Sequence, residues 1–132
     1  MVSTVTNRGT VRFMVYDGAL FVTFLQRLVK ATRGRKILVI VDNLKVHHAK
    51  KVKAWVAAHQ DRIALVFLPP YAPEHNPGEL LNHDVKRSLA KRPAPKDQAN
   101  LRRTLRSTMR RLQRTPAKVK AFFQAPTTAY AA

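Results

Sequence analysis

An unbroken run of five apolar residues, Ile37-Leu38-Val39-Ile40-Val41, stands between Arg35-Lys36 and Asp42 and constrains this chain more than any other segment. The run is rich in β-branched residues, too short for a helix and continuous rather than alternating. It predicts a central strand, buried on both faces of a sheet. A second run, Ile63–Leu68, reads the same way. Between them, Ala49–His59 places Val52, Trp55 and Val56 on one face and Lys50, Lys51 and Lys53 elsewhere, which predicts a helix. Strand, helix, strand in that order requires a crossover, so the two runs are expected to be adjacent and parallel. Upstream, Phe21, Phe24, Leu25, Leu28 and Val29 recur at helical spacing as far as Gly34. Val2–Thr6 and Thr10–Tyr16 flank Asn7-Arg8-Gly9, the signal of an antiparallel hairpin. That hairpin is expected to complete one side of the sheet, with Asp17-Gly18 ending its second strand.

Four prolines between Pro69 and Pro77 forbid regular structure and predict a stiffened loop. A helix should follow, with Asn76 as N-cap, Pro77 at its first position, Glu79 at its third, and Leu81, Val85 and Leu89 as its buried stripe. Arg92-Pro93-Ala94-Pro95-Lys96 breaks the chain again, and Asp97 is placed to cap a helix running to about Arg114. Leu101, Leu105, Met109 and Leu112 share one face of it; Arg102, Arg103, Arg106, Arg110 and Arg111 populate the other. Pro116 opens a last short helix ending near Phe123. The expected division is residues 1–92 as an α/β domain and 93–132 as a basic helical extension.

The formal charge of +18 makes a polyanion the natural partner, since such a chain otherwise repels itself. From Arg87 to Ala132 there are 12 Lys and Arg against Asp97 alone, so the basic character is concentrated toward the C-terminus. Charge alone fits a plain nucleic-acid-binding or ribosome-like protein as well as an enzyme acting on nucleic acid. The chain has no cysteine, which excludes disulfides and thiolate metal sites and leaves carboxylates and histidines as strong ligands. No apolar run approaches the ~20 residues of a membrane span, and no secretory or transit signal opens the chain, so a cytoplasmic protein is expected.

Asp42 ends the first buried strand, and ligands of α/β sheets gather at the carboxyl ends of strands. Taken alone, it reads more readily as the cap of a turn through Asn43. Glu79 taken alone reads as the far half of a capping box with Asn76. The pair reads differently: a carboxylate at a strand end and another in the first turn of a later helix can share a divalent cation, and hard oxygen ligands suit magnesium or manganese. His47 and His48 point to a hydrogen bond onto the Asp42 loop rather than to zinc. His75 and His83 read as loop and exposed-helix residues, and Trp55 as core. Tyr71, held among prolines, is open to two readings, a plug for the sheet or a platform for a base.

Two stretches, ILVIVDNLKVHHAKKVKAW and, one strand later, LPPYAPEHNPGELLNHDVK, resemble the catalytic domain of the mariner-related insertion-sequence transposases, the six-thirty group of the DDE endonucleases. The opening VSTVTNRGTVRFMVYDG is similar to the second and third strands of their ribonuclease-H-like fold. The resemblance implies an incomplete ribonuclease-H-like α/β fold, a mixed sheet flanked by helices with a basic helical C-terminal segment. It makes Asp42 the second and Glu79 the third catalytic, metal-binding carboxylate. The implied activity is magnesium- or manganese-dependent DNA strand cleavage and strand transfer, with DNA as partner at the bacterial nucleoid, no membrane, and a homodimer or complementation by the N-terminal part of such a transposase.

The departures matter equally. Family members carry a first catalytic Asp on a strand before the hairpin, and an N-terminal helix-turn-helix region; these residues contain neither. His75 stands where Leu is usual and Gly78 where a larger residue is common. The chain is therefore expected to be an N-terminally truncated transposase, inactive alone. If the chain were active alone, Asp17 and Asp84 would be the first substitutes to test for the missing ligand, although the resemblance places Asp17 at a turn. The rival reading is a non-catalytic basic protein that binds nucleic acid and retains the fold.

Overall fold

The computed structural model describes residues 1–15 and 21–132. Asp17, and the end of the hairpin's second strand near Tyr16, lie outside the described residues. The chain divides into two compact units, residues 1–15 with 77–132, and residues 16–76.

In the first unit, strands β1 (Val2–Val5) and β2 (Val11–Met14) pair antiparallel, Val2 opposite Met14 and Val5 opposite Val11, as the hairpin pattern requires. The loop between them closes with Gly9 N donating to Thr6 O (2.9 Å) and Thr6 N to Thr10 O (3.0 Å). Gly9 sits at φ 87°, the left-handed residue that lets a three-residue loop match the twist of the strands. Its missing side chain also makes room: a Cβ there would stand 2.7 Å from the Pro116 carbonyl oxygen.

Three helices pack with the hairpin, α3 (Pro77–Ala90) against β1, α4 (Gln98–Gln113) against β2, and α5 (Pro116–Ala121) against α4; α1 (Phe21–Ala31) and α2 (Lys50–Ala58) belong to the second unit. Pro77 opens α3 directly after Asn76, whose backbone is extended. Asp97 caps α4 as expected, its carboxylate accepting from Asn100 N at 2.6 Å. The core of this unit is Val11, Leu81, Val85, Met109, Leu112 and Val119. Leu101, read as part of the same stripe, is 41% exposed, so the apolar seam of α4 is buried only in its C-terminal half. Gln113 Nε2 donates to Val11 O at 2.8 Å and ties α4 to the hairpin.

The second unit holds α1 (Phe21–Ala31), β3 (Ile37–Val41), α2 (Lys50–Ala58) and β4 (Ile63–Phe67). Phe21, Phe24, Leu25 and Leu28 form the buried stripe of α1. β3 and β4 are parallel neighbours, Ile37 opposite Ile63 and Val41 opposite Phe67, in agreement with the crossover argument.

Two expectations are corrected here. The hairpin does not extend the β3–β4 sheet; among the described residues there are two separate two-stranded sheets. A mixed sheet needs a strand hydrogen-bonded between the pairs, and no described segment supplies one. Nor is Ile37–Val41 buried on both faces: Val39 and Val41 are buried, whereas Leu38 is 70% and Ile40 36% exposed. Successive residues of a strand face opposite sides, so one side of β3 is covered and the other is open, and among the described residues β4 is its one strand neighbour.

Candidate functional site

Asp42 leaves the sheet at the carboxyl end of β3, and the chain then tightens into a 3-10 turn, Lys45–His48, that the sequence pattern did not reveal. That turn folds both histidines back on the strand end. His47 Nδ1 lies 2.9 Å from Asp42 Oδ1 and 3.0 Å from the Asp42 carbonyl oxygen. Both neighbours are acceptors, so Nδ1 carries the proton and donates. Leu44 N donates to the same Oδ1 at 3.3 Å. The second carboxylate oxygen, Oδ2, has no hydrogen-bond partner among the described residues, and the side chain is about one third exposed. Asp42 is thus held by one oxygen and presents the other.

The scaffold under this arrangement is polar and aromatic. Asn43 Nδ2 donates to Leu68 O, and Leu68 N to Val41 O at 2.9 Å, so the ends of β3 and β4 are bonded together just where the carboxylate emerges. His48 hydrogen-bonds Asn43 Oδ1 through Nε2 at 3.1 Å and stacks on Phe67 with ring centroids 4.3 Å apart. His47 packs against the Phe21 ring at 4.5 Å. The hydrogen bond expected from a histidine to the Asp42 loop is therefore present, made by His47.

Glu79 lies in the first turn of α3, half-buried, with Oε1 accepting from Asn82 Nδ2 at 3.2 Å. Asp84, one turn further, is buried at 5% exposure and receives Lys118 Nζ at 2.8 Å and Arg87 at 3.2 Å. Burial opposes its ionisation, but the hydrogen bonds and charges of Lys118 and Arg87 outweigh that and hold its carboxyl below the usual carboxylate range. Asp84 is an internal ion-pair anchor, which removes it as a substitute metal ligand. Asp17, the other substitute, is outside the described residues.

The donor set suits a hard divalent cation in kind, with carboxylate oxygens and no thiolate. Among the described residues no group of three His, Cys, Asp or Glu converges as a ready-made metal cage. Asp42 belongs to the second unit and Glu79 to the first.

On α4, Arg103, Arg106, Arg110 and Arg111 are exposed and Arg102 is half-buried, its guanidinium donating to Gln98 Oε1 at 3.3 Å. Tyr71 is fully exposed, at φ 59°, so it does not plug the sheet. Trp55, read as core, is half-buried with its ring stacked on His59, centroids 4.2 Å apart.

Residues 1–102 match the DDE superfamily endonuclease family. This chain belongs to that family. No curated protein and no solved structure matches it. Membership in the DDE endonucleases makes DNA the substrate class. The match stops at Arg102, so Arg103, Arg106, Arg110 and Arg111 lie beyond it and their role rests on their chemistry. No described helix is long and apolar enough to cross a membrane.

Sequence reasoning missed the Lys118–Asp84 anchor, whose partners are too far apart in the chain for any local signal. It also missed Arg62, which reaches across to carbonyls at the end of α1. The five-residue interval from Asp42 to His47 was the one available sign of the turn that brings them together.

Proposed function

We propose that this DDE endonuclease chain carries part of the machinery of DNA transposition, metal-dependent strand cleavage and strand transfer, in a protein of the mariner-related insertion-sequence group. The observation that carries the reading is Asp42: a strand-end carboxylate with one oxygen fixed by His47 and the Leu44 amide, and the other presented. Asp42 and Glu79 would hold magnesium or manganese, and the third carboxylate would come from residues outside these 132. Divalent cations held there would supply activation of the attacking oxygen and stabilisation of the departing one. The chain's own task is positioning. His47 and the Leu44 amide hold one oxygen of Asp42, Asn43 ties the ends of β3 and β4 together beside it, and α3 carries Glu79 at its start. The arginines of α4, within the basic 93–132 segment, would grip phosphates without reading bases, since guanidinium–phosphate contacts carry no sequence information. A homodimer, or a complex with the N-terminal part of a transposase, would complete the site at the bacterial nucleoid.

The test is cleavage of element-end DNA with magnesium or manganese, by this chain alone and after restoring an upstream strand bearing an Asp. We expect no cleavage alone and cleavage on restoration, abolished by Asp42→Asn. Activity in the unextended chain that Asp42→Asn removes overturns the incomplete site. No gain on restoration favours the non-catalytic binding protein instead.

A further inference from the structure

Between Phe21 and Val41 there is no acidic residue, while Lys30, Arg33, Arg35 and Lys36 crowd the seven positions that close α1 and lead to β3. Cations are common at the C-terminal end of a helix because they complement its unpaired carbonyls. Here that duty is already met. Arg62, just before β4, donates through its guanidinium to Val29 O at 3.3 Å and Thr32 O at 3.1 Å. Lys30, Arg33, Arg35 and Lys36 make no ion pair or side-chain hydrogen bond among the described residues, and all four are exposed. Gly34, at φ 71°, turns the backbone with open space around it.

Lys30, Arg33 and Arg62 line a groove of about 440 Å³ that also has an aromatic wall. That wall is Trp55 stacked on His59 with 21° between the ring planes. It is held in place because His59 Nδ1 donates to Trp55 O at 2.7 Å. No carboxylate lines the groove. Cations that serve no internal acceptor, sharing a groove with a fixed aromatic wall, suit a ligand with repeated negative charge and a partly apolar surface. Duplex DNA has both, phosphates for the cations and apolar sugar faces for the ring.

We propose that this groove is a DNA-binding site in its own right, carried by the second unit and distinct from the arginine face of α4. Lys30 and Arg33 contact backbone phosphates there, Arg62 stiffens the floor, and Trp55 lies against the strand. The proposal rests on the reading of this chain as a DNA-handling protein.

Trp55 is the single tryptophan of the chain, so its emission reports on this groove and nowhere else. The experiment titrates the full chain with a 20-base-pair duplex, following Trp55 emission in one series and the anisotropy of a labelled duplex in another, at several salt concentrations. The expected result is a saturable change in Trp55 emission whose midpoint weakens steeply with salt. Lys30→Ala with Arg33→Ala should move that midpoint at least ~10-fold and lower the salt slope by roughly 0.9 per lost phosphate contact. Charge reversal at the same positions, Lys30→Glu with Arg33→Glu, should remove the emission change. Both side chains are exposed, and circular dichroism checks that the fold is retained. Removing Arg102, Arg106 and Arg110 instead should weaken the anisotropy response and leave the emission change in place. A bound duplex that leaves Trp55 emission unaltered, or variants that titrate like the parent, overturns the groove while sparing DNA binding. A duplex that does not bind by anisotropy overturns both.

Discussion

Replacing Lys118 by Ala removes the shorter of the two ion pairs to the buried carboxylate of Asp84 and leaves it facing Arg87 alone, at 3.2 Å. Breaking a fully buried pair typically costs 3–5 kcal/mol and an exposed one about 0.2–1 kcal/mol. This pair is between those cases, because Asp84 is buried while the Lys118 and Arg87 side chains are 43% and 63% exposed. We expect a loss of about 1–2 kcal/mol at neutral pH. At about 4 °C per kcal/mol for a chain of this size, thermal unfolding should shift down by roughly 4–8 °C. The pH dependence identifies the cause. The Asp84 carboxyl is held below its usual range in the folded state, so the unfolded state takes up its proton first as pH falls. The stabilisation is therefore complete above about pH 4–5 and disappears as pH falls through the lowered folded value. Parent and Lys118→Ala should then differ at pH 7 and converge toward pH 3, each pair measured by calorimetry in the same buffer. In an Asp84→Asn background the same substitution should cost much less. A difference that stays constant from pH 7 to pH 3, or an undiminished cost in the Asn background, would show that Lys118 stabilises by packing its stem and not by meeting the carboxylate.

Gly9→Ala should lower stability by about 1–3 kcal/mol, read as a drop in the unfolding midpoint, because it forces a side chain into left-handed backbone and against Pro116; an unchanged midpoint would mean that the hairpin and α5 adjust at no cost. Replacing Arg102, Arg106 and Arg110 together by Ala should reduce the slope of log affinity against log salt by roughly 0.9 per lost contact, and an unchanged slope would make that face a solvated exterior. Asp42→Asn and Glu79→Gln should each weaken Mn²⁺ binding by calorimetry, and the two carboxylates should lie within about 8 Å in a manganese-loaded crystal, close enough to share one ion or a pair at ordinary oxygen–metal distances. Retention of full affinity by either variant would remove that residue from the proposed site.

The elements were legible where a local rule decides them. Asp97 caps α4 because a carboxylate before a helix meets its free N–H groups, and the two apolar runs became parallel neighbours because a helix intervenes. The hairpin followed from Asn7-Arg8-Gly9, whose third residue takes the left-handed conformation that such a loop demands. What failed depended on which partners a strand finds. A continuous apolar run predicts two covered faces, yet Leu38 and Ile40 are exposed, since covering them takes a layer that periodicity within the run cannot announce. Trp55 at helical spacing with Val52 looked like core, and only Val52 is buried. The 3-10 turn escaped notice because Lys45-Val46-His47-His48 has no capping or proline signature. The histidine contact was read correctly, but the oxygen it holds could not be known without that turn.

The partners of the acidic residues separate the proposed site from the rest of the chain. Six of the seven acids are described, in a protein with 25 Lys and Arg competing for them. Asp84 is buried and takes Lys118 and Arg87; Asp97 is exposed and spent on a helix cap; Glu74 and Asp61 are exposed. Asp42 and Glu79 are the two of intermediate burial, and neither is met by a lysine or an arginine. Their partners are an imidazole N–H, a backbone amide and a carboxamide, each engaging one oxygen. A half-buried carboxylate bonded by a lysine has its charge neutralised and its lone pairs occupied, so a cation would have to displace the ammonium first. One oriented by weaker donors through a single oxygen keeps its charge and one oxygen's lone pairs for an incoming cation. Beside Asp42 the packing is aromatic, with His47 against Phe21 and His48 against Phe67. Each of these two carboxylates therefore keeps, within its own unit, the charge and the free oxygen that the proposed function requires of it.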